Sequence, residues 1–333
     1  MIASNLLVAM AWPIQLLDGH MQTLDRYLDI SLSQHEVEAI RNACSRSNVR
    51  LGAYYHWYLQ KLIMARSFRS LDKSHVLSRL NGLDRTDYST LDNIPDDGRG
   101  LLVAIPHFGH YVLSIIGLVE TLRSKRNVLV FYGAPATHAG NDLFDRLHMC
   151  LYGDEQSNVS VIHDARAGMA MAIRGLEDGA AVIIMPDVFK NERDTYLIPF
   201  CGRPLNVMLG TAALARKTLS RVLPAVSMPS RTSLRFNTVF SSMLDAALPL
   251  ATSAPSPPNN DFVHLDYRST LSLFMRYEEV IAEKIMYWQY SRTHYGRTMD
   301  FPYLDKERIL KVSELFFNDP RANLGADRVI CID

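Results

Sequence analysis

The sequence predicts an α/β fold in which a largely parallel central sheet is flanked by helices and preceded by an N-terminal helical region. From Leu101 onward, short apolar runs alternate with helical patterns, which is typical of strand–helix–strand units. Before that point the apolar residues recur at helical spacing, most clearly over 33–67. The turn-rich stretch DNIPDDGRG at 92–100 separates the two patterns. We therefore expect a helical region over 1–95 packed on an α/β domain over 96–333 as one structural unit.

The elements follow in order along the chain. The Ser33–Glu36 pair has the form of a capping box, which indicates a helix start there. The predicted strands are Leu101–Ile105, Val128–Tyr132, Val159–His163, Ala180–Met185, Val222–Met228 and Leu234–Phe240. The predicted helices between and after them are Gly109–Ser124, Asn141–Tyr152, Ala165–Glu177, Val207–Leu219 and about Thr270–Tyr290. The Pro- and Ser-rich stretch 251–260 is predicted to be a loop.

Composition excludes several classes of partner. The 333 residues contain 35 basic and 35 acidic side chains, so no global charge favours nucleic acid or an anionic membrane. The four cysteines are far apart and lack metal-ligand spacing, which predicts reduced thiols and a cytoplasmic location. The mostly apolar segment Ile2–Leu17 is too short and too interrupted for a spanning helix. Burial in the core is the simpler interpretation, and peripheral contact with the inner face of the membrane stays open.

His107 is the strongest candidate for chemistry. It follows a buried strand that ends at Pro106 and precedes a helical pattern, so it lies at the carboxyl edge of the predicted sheet, where α/β folds bind ligands. An imidazole there can accept a proton from a hydroxyl or an amine near neutral pH. Phe108, Gly109, His110 and Tyr111 follow directly and are predicted to line the substrate site.

A second group of candidates comes later in the chain. Asp187 stands at the carboxyl edge of another strand, so in a parallel sheet it opens on the same rim as His107. Arg203, in the rigid loop Pro199–Pro204, and Arg216, in a helix rich in small residues, are candidates to bind a phosphate or carboxylate. No serine-hydrolase elbow, P-loop, dinucleotide fingerprint or HExxH motif occurs.

Four blocks of this sequence resemble, in order, the bacterial lipid A late acyltransferases of the lysophospholipid acyltransferase superfamily. They are IPHFGHYVL, the run ending MPDVFKN, the run from IPFCGRP to LSRVLPAV, and YWQYSR at 287–292. The resemblance spans about Gly100 to Arg297 and implies a glycerol-3-phosphate/lysophospholipid acyltransferase-like fold. It also makes Arg292, in the last block, a candidate for positioning substrate phosphate.

The resemblance implies transfer of an acyl group from an acyl carrier protein or coenzyme A thioester to a hydroxyl or amine. We expect no cofactor besides that thioester, and no metal, because nothing in the spacing of His107 and His110 demands one. In the family, a histidine is the general base and an acidic residue five positions later orients it. His107 matches the base, but Val112 stands at the acidic position. Asp187 is the first choice for a replacement and Glu120 the second; otherwise His107 works alone, or acyl transfer has been lost.

We therefore expect an acyltransferase of a biosynthetic pathway other than lipid A itself, because Ile2–Leu17 is a poor membrane anchor. The acceptor is expected to be a small or carrier-bound molecule, and acyl groups other than aminoacyl are favoured. The alternative is a non-catalytic relative that binds an acyl chain or a carrier protein, and Val112 is the feature that favours it. A weaker alternative is a metal-dependent hydrolase that uses His107 and His110.

Overall fold

The computed structural model describes residues 51–68, 71–133, 143–153, 157–162, 166–188, 196–201, 203–245, 262–291 and 294. The strands are β1 Leu101–Ala104, β2 Val128–Phe131, β3 Val159–Ile162, β4 Ala181–Ile184, β5 Tyr196–Phe200, β6 Arg203–Val207, β7 Arg221–Pro229, β8 Phe236–Phe240 and β9 Leu244–Asp245. The helices are α1 Leu51–Ser67, α2 Lys73–Leu83, α3 Ser89–Asp92, α4 Tyr111–Leu122, α5 Leu143–Tyr152, α6 Arg166–Glu177, α7 Gly210–Thr218 and α8 Phe262–Ile281, followed by a 3₁₀ helix Ala282–Tyr287.

The central sheet has the strand order β3-β2-β4-β1-β7-β8, with β9 paired to β7. The first five strands of that order run parallel, and β8 and β9 are antiparallel to β7. Strand β1 lies in the middle, with Ala104 opposite Ile184 of β4 on one side and Pro224 of β7 on the other. All four residues of β1 are buried, as expected for a strand covered on both faces.

Two apolar clusters cover the two faces of this sheet. Alternate residues of β1 point to opposite faces, so Leu102 joins one cluster and Val103 the other. The first cluster also contains side chains of α6, α7, α8 and the 3₁₀ helix, and the second contains those of α2 to α5. The molecule is therefore a three-layer arrangement in which the sheet is the middle layer.

The predicted fold class is confirmed, and the six predicted strands are all present within a few residues of the expected bounds. One prediction was wrong. The stretch Pro199–Pro204 is not a rigid loop but part of an antiparallel hairpin of β5 and β6, in which those two prolines face each other. Proline lacks an N–H group, so it fits a ribbon in which, within the described ranges, β5 and β6 pair only with each other.

The helical region before β1 is described from residue 51 onward, and the predicted helix start at Ser33 and the segment Ile2–Leu17 lie outside the described residues. Within the described part, Met64 of α1 and Leu80 of α2 share an apolar cluster with β1 and α4. The last long helix begins at Phe262, earlier than the expected Thr270. None of the described helices combines the length and the apolar character that a bilayer crossing needs.

Candidate active site

The site forms where β1 and β4, neighbours in the sheet, end at the same edge. After β1, the N–H of Ile105 still donates to the carbonyl oxygen of Ile184, at 2.9 Å, and the chain then turns at Pro106 into His107. After β4, Pro186 and Asp187 follow at the same level. Because β1 and β4 are parallel neighbours of equal length, His107 and Asp187 lie side by side, although they are 80 positions apart in the chain.

Asp187 and His107 form a buried pair. The Nδ1 atom of His107 lies 2.8 Å from Oδ1 of Asp187, and the backbone N–H of His107 donates to Oδ2 at 2.9 Å. The Asp187 side chain is 1% exposed and that of His107 is 10% exposed. An ionised carboxylate only accepts hydrogen bonds, so the contact places the imidazole proton on Nδ1 and leaves the lone pair on Nε2. That tautomer is the one a general base requires.

A third donor to Asp187 comes from the end of the described chain. The indole Nε1–H of Trp288 donates to Oδ2 of Asp187 at 2.7 Å, and Trp288 is itself 1% exposed. The resemblance singled out the segment 287–292 but gave no role to Trp288. No local signal links Trp288 to Asp187, because their meeting depends on how the 3₁₀ helix returns to the sheet edge.

Two tyrosines flank the imidazole. The ring centroid of Tyr111 lies 4.7 Å from that of His107, and the ring centroid of Tyr290 lies 5.1 Å from it. Burial and the nearby negative charge of Asp187 raise the pKa of the Tyr290 hydroxyl, so this phenol is neutral at physiological pH. The structure thus brings together His107, Asp187 and Tyr111 of the predicted site, and adds Trp288 and Tyr290.

Phe108 and Gly109 are held within the fold by burial and by backbone hydrogen bonds. Phe108 is fully buried and pairs with Trp288 in an isolated antiparallel bridge. The N–H of Gly109 donates to the carbonyl oxygen of Tyr287 at 3.0 Å, and that of Phe108 donates to Pro106. The Gly109 amide is therefore already engaged in a hydrogen bond within the fold.

Gly109 is required by its backbone conformation and by its neighbours. Its φ is +61°, and a Cβ atom there would meet the carbonyl oxygen of Ser227 and lie 2.8 Å from Cδ of Pro229. We expect Gly109→Ala to lower the free energy of unfolding by about 2–4 kcal/mol, from left-handed strain and the backbone clash together. Urea unfolding measures this loss. Gly210→Ala is the control, because a Cβ atom added at Gly210 would meet no atom of the surrounding structure within 4 Å. Equal losses in both variants would contradict the prediction.

His110 faces away from the pair formed by His107 and Asp187. Its ring packs against Trp57 at 5.2 Å and against Phe236 at 6.0 Å. Burial, with a smaller effect of the Lys61 charge, lowers the pKa of His110 to about 3, so the ring is neutral at physiological pH. Within the described ranges, no three His, Cys, Asp or Glu side chains are placed to hold a metal ion together.

Of the three basic candidates, Arg216 is the one whose side chain the structure describes, and it lies away from His107. Arg216 makes a bidentate ion pair with Asp266, at 2.7 and 2.8 Å, which raises the pKa of its guanidinium. It lies in the last turn of α7, just before β7 begins opposite Leu101, and therefore at the amino edge of the sheet. Arg203 is in β6, but its side chain, like all of Arg292, falls outside the described part.

The structure describes Val112 and the two carboxylates, Asp187 and Glu120, that were proposed to replace an acidic residue at position 112. Val112 is half-buried in the first turn of α4 and packs against the apolar cluster beneath that helix. Glu120 lies two turns further on, where it accepts from Tyr152 at 2.6 Å and pairs with Arg123. Glu120 is thus engaged elsewhere, and Asp187 is the carboxylate that contacts His107.

The fold and site together define an α/β protein with a buried histidine–carboxylate pair at the carboxyl edge of its sheet. Residues 6–247, more than half of the chain, match the family model of bacterial lipid A biosynthesis acyltransferases. The chain therefore belongs to that family, which confirms the resemblance and supports acyltransferase activity. The matched range contains His107 and Asp187 and ends before Trp288. A search of curated proteins finds no match.

Proposed function

We propose that this protein is a thioester-dependent acyltransferase in which His107 is the general base and Asp187 replaces the acidic residue missing at position 112. The observation that carries this proposal is the 2.8 Å contact between Nδ1 of His107 and Oδ1 of Asp187 in a buried site. The contact leaves Nε2 as the proton acceptor. Asp187 also holds the backbone N–H of His107, so it orients both the loop and the ring.

The reaction follows from this geometry. Nε2 of His107 removes a proton from the acceptor hydroxyl or amine as its oxygen or nitrogen attacks the thioester carbonyl carbon. The tetrahedral intermediate then collapses, the carbon–sulfur bond breaks, and the departing thiolate takes the proton from the imidazolium. The negative charge of Asp187 stabilises that imidazolium while it exists.

Oxyanion stabilisation falls to the start of α4 rather than to Gly109. The first amide groups of an α-helix have no acceptor within the helix, and Val112 lies in the first turn of α4, five residues after His107. Free N–H groups at a helix start favour developing negative charge. The carbonyl oxygen of the thioester is thus proposed to face this first turn.

The donor is proposed to be an acyl carrier protein or coenzyme A thioester, and the acceptor a small or carrier-bound hydroxyl or amine compound. Intact-mass measurement of transfer from a panel of both thioester classes to mixed acceptors tests this, with His107→Ala alongside. Transfer that disappears in the variant supports the proposal and identifies the donor class. Tight binding of a donor with no turnover across the panel would contradict it.

A second candidate function is favoured by Val112 alone: a relative that binds an acyl chain or a carrier protein without catalysis. The Val112→Glu variant separates the two. If the protein is an enzyme whose site is adapted to Val112, the introduced glutamate places a carboxylate at a partly buried apolar position. We then expect the free energy of unfolding to fall by about 1–3 kcal/mol and kcat to fall by about tenfold or more. Urea unfolding and steady-state transfer measure the two effects.

The control for this variant is Val112→Gln, which has nearly the shape of glutamate without its charge. We expect Val112→Gln to be destabilised less than Val112→Glu, because only the charge adds a further cost of burial. Transfer that appears in Val112→Glu and is absent from both the wild type and Val112→Gln would support the binding-protein alternative.

A further inference from the structure

The chain returns to the sheet edge after α8 and fastens itself to the loop that carries His107. We call residues Tyr287–Gln289 the closing segment. Its carbonyl oxygen at Tyr287 accepts from the N–H of Gly109 at 3.0 Å, and its N–H at Gln289 donates to the carbonyl oxygen of His107 at 2.8 Å. Two backbone bonds therefore set the closing segment in register with the residues on both sides of Phe108.

Between those two bonds, the side chain of Trp288 points at Asp187. The ring is held by edge contacts to Phe200 and to His294, each with centroids 5.2 Å apart. Its only hydrogen-bond donor, the indole N–H, meets Oδ2 of Asp187 at 2.7 Å. A rigid ring in a fixed place thus presents one donor to one carboxylate oxygen.

We propose that Trp288 is a positioning residue that keeps the Asp187 carboxylate turned toward His107. Two N–H groups, from Trp288 and from the His107 backbone, converge on Oδ2 and fix the plane of the carboxylate. The other oxygen, Oδ1, is then directed at Nδ1 of the imidazole. Trp288 acts through Asp187 and touches no reacting atom.

Removal of the indole donor leaves Oδ2 with one N–H partner, so the carboxylate gains freedom to rotate about its Cβ–Cγ bond. The bond to Nδ1 then opens more often, and Nε2 spends less time as an oriented base. Loss of a partner that orients a metal-binding side chain in this indirect way reduces metal affinity or activity by about 10- to 100-fold, and we expect an effect of the same order here. The effect on transfer rests on the proposed function, whereas the effect on the Nδ1–H bond does not.

Two substitutions test the inference. Trp288→Phe removes the donor but also shrinks the ring. Incorporation of 3-benzothienylalanine at position 288 places sulfur where the N–H was and keeps the shape of the ring. We expect both to lower kcat by about 10- to 100-fold while KM changes by less than about threefold. Phe144→Leu is the control, because it loosens the packing of another fully buried aromatic ring, in the apolar cluster that does not contain Trp288, and leaves the Trp288 N–H in place; its kcat is expected to stay within about threefold of the wild type.

A second readout does not depend on turnover. The Nδ1 proton of His107 gives a downfield ¹H NMR signal, assigned by its absence in His107→Ala. Its exchange with water reports how often the bond to Asp187 opens. We expect exchange to accelerate by about tenfold or more in the benzothienyl protein and to be unchanged in Phe144→Leu. Unchanged exchange in the benzothienyl protein would overturn the inference, as would a kcat within about threefold of the wild type.

The two readouts separate this inference from the proposed function. If the wild type transfers no acyl group across the thioester panel, the proposed function fails and the exchange measurement alone decides the role of Trp288. If the wild type is active and the benzothienyl protein is equally active, the positioning role fails and the proposed function stands.

Discussion

Replacement of His107 by alanine is expected to lower kcat for acyl transfer by about 10³- to 10⁴-fold, because the variant removes the general base of the proposed mechanism. His110, the nearest other imidazole in sequence, packs against Trp57 and Phe236. Binding of the thioester is expected to persist, since the variant removes a base and leaves the start of α4 in place. Single-turnover transfer and thioester binding measure the two effects.

The control for His107→Ala is His148→Ala, which removes a half-buried histidine that stacks on Phe144 of α5. We expect transfer by this variant to match the wild type. Turnover of His107→Ala within about twofold of the wild type would rule out the base mechanism. The same two variants, compared by thermal unfolding, show whether loss of activity follows loss of structure.

Replacement of Asp187 by asparagine is expected to cost up to about 10⁴-fold in kcat, although the two side chains have nearly the same shape. Two N–H groups converge on the position of Oδ2, so the amide oxygen of asparagine takes that place. Its NH₂ group then faces Nδ1 of His107 and donates to it. The imidazole must move its proton to Nε2, where it no longer serves as a base.

Asp266→Asn is the matched control, because Asp266 is also a buried acid but pairs with Arg216 away from His107. We expect this variant to lose stability and keep its kcat. The tautomer in Asp187→Asn is read from the ¹⁵N chemical shifts of His107. An Asp187→Asn protein that retains the Nδ1–H form and nearly full turnover would contradict the assigned role of Asp187.

Local sequence patterns indicate that His107 and Asp187 lie at the carboxyl edge of the sheet, but they do not specify that the two side chains meet. A buried strand followed by Pro106 and His107 indicates the carboxyl edge of a parallel sheet, and a second strand that ends at Asp187 indicates the same edge. Their contact then required only that β1 and β4 be neighbours, which the alternation of strands and helices makes common but does not specify. The structure supplied that adjacency.

The remaining parts of the site depend on tertiary packing that no local pattern encodes. Trp288 reaches Asp187 only because α8 packs on the sheet and the chain after it is hydrogen-bonded to the loop that carries His107. Arg216 was expected near a ligand because it lies at the basic end of α7. The strand after that helix starts at the amino edge of the sheet, so Arg216 lies at that edge, where it pairs with Asp266. The hairpin around Pro199 was missed because proline and glycine indicate turns more strongly than strands.

A histidine base and a carboxylate that lie within one helical turn can meet in a short fragment of the chain. His107, which follows β1, and Asp187, which follows β4, cannot. His107 and Asp187 are 80 positions apart, and α4, β2, α5, β3 and α6 lie between them, so pairing of β1 with β4 closes a long intervening stretch of chain. Long-range parallel pairing forms slowly, because the entropy of closing the intervening chain opposes it until many contacts exist. A partly folded or newly synthesised chain therefore contains an imidazole without its partner, and the capacity for chemistry appears only with the completed sheet.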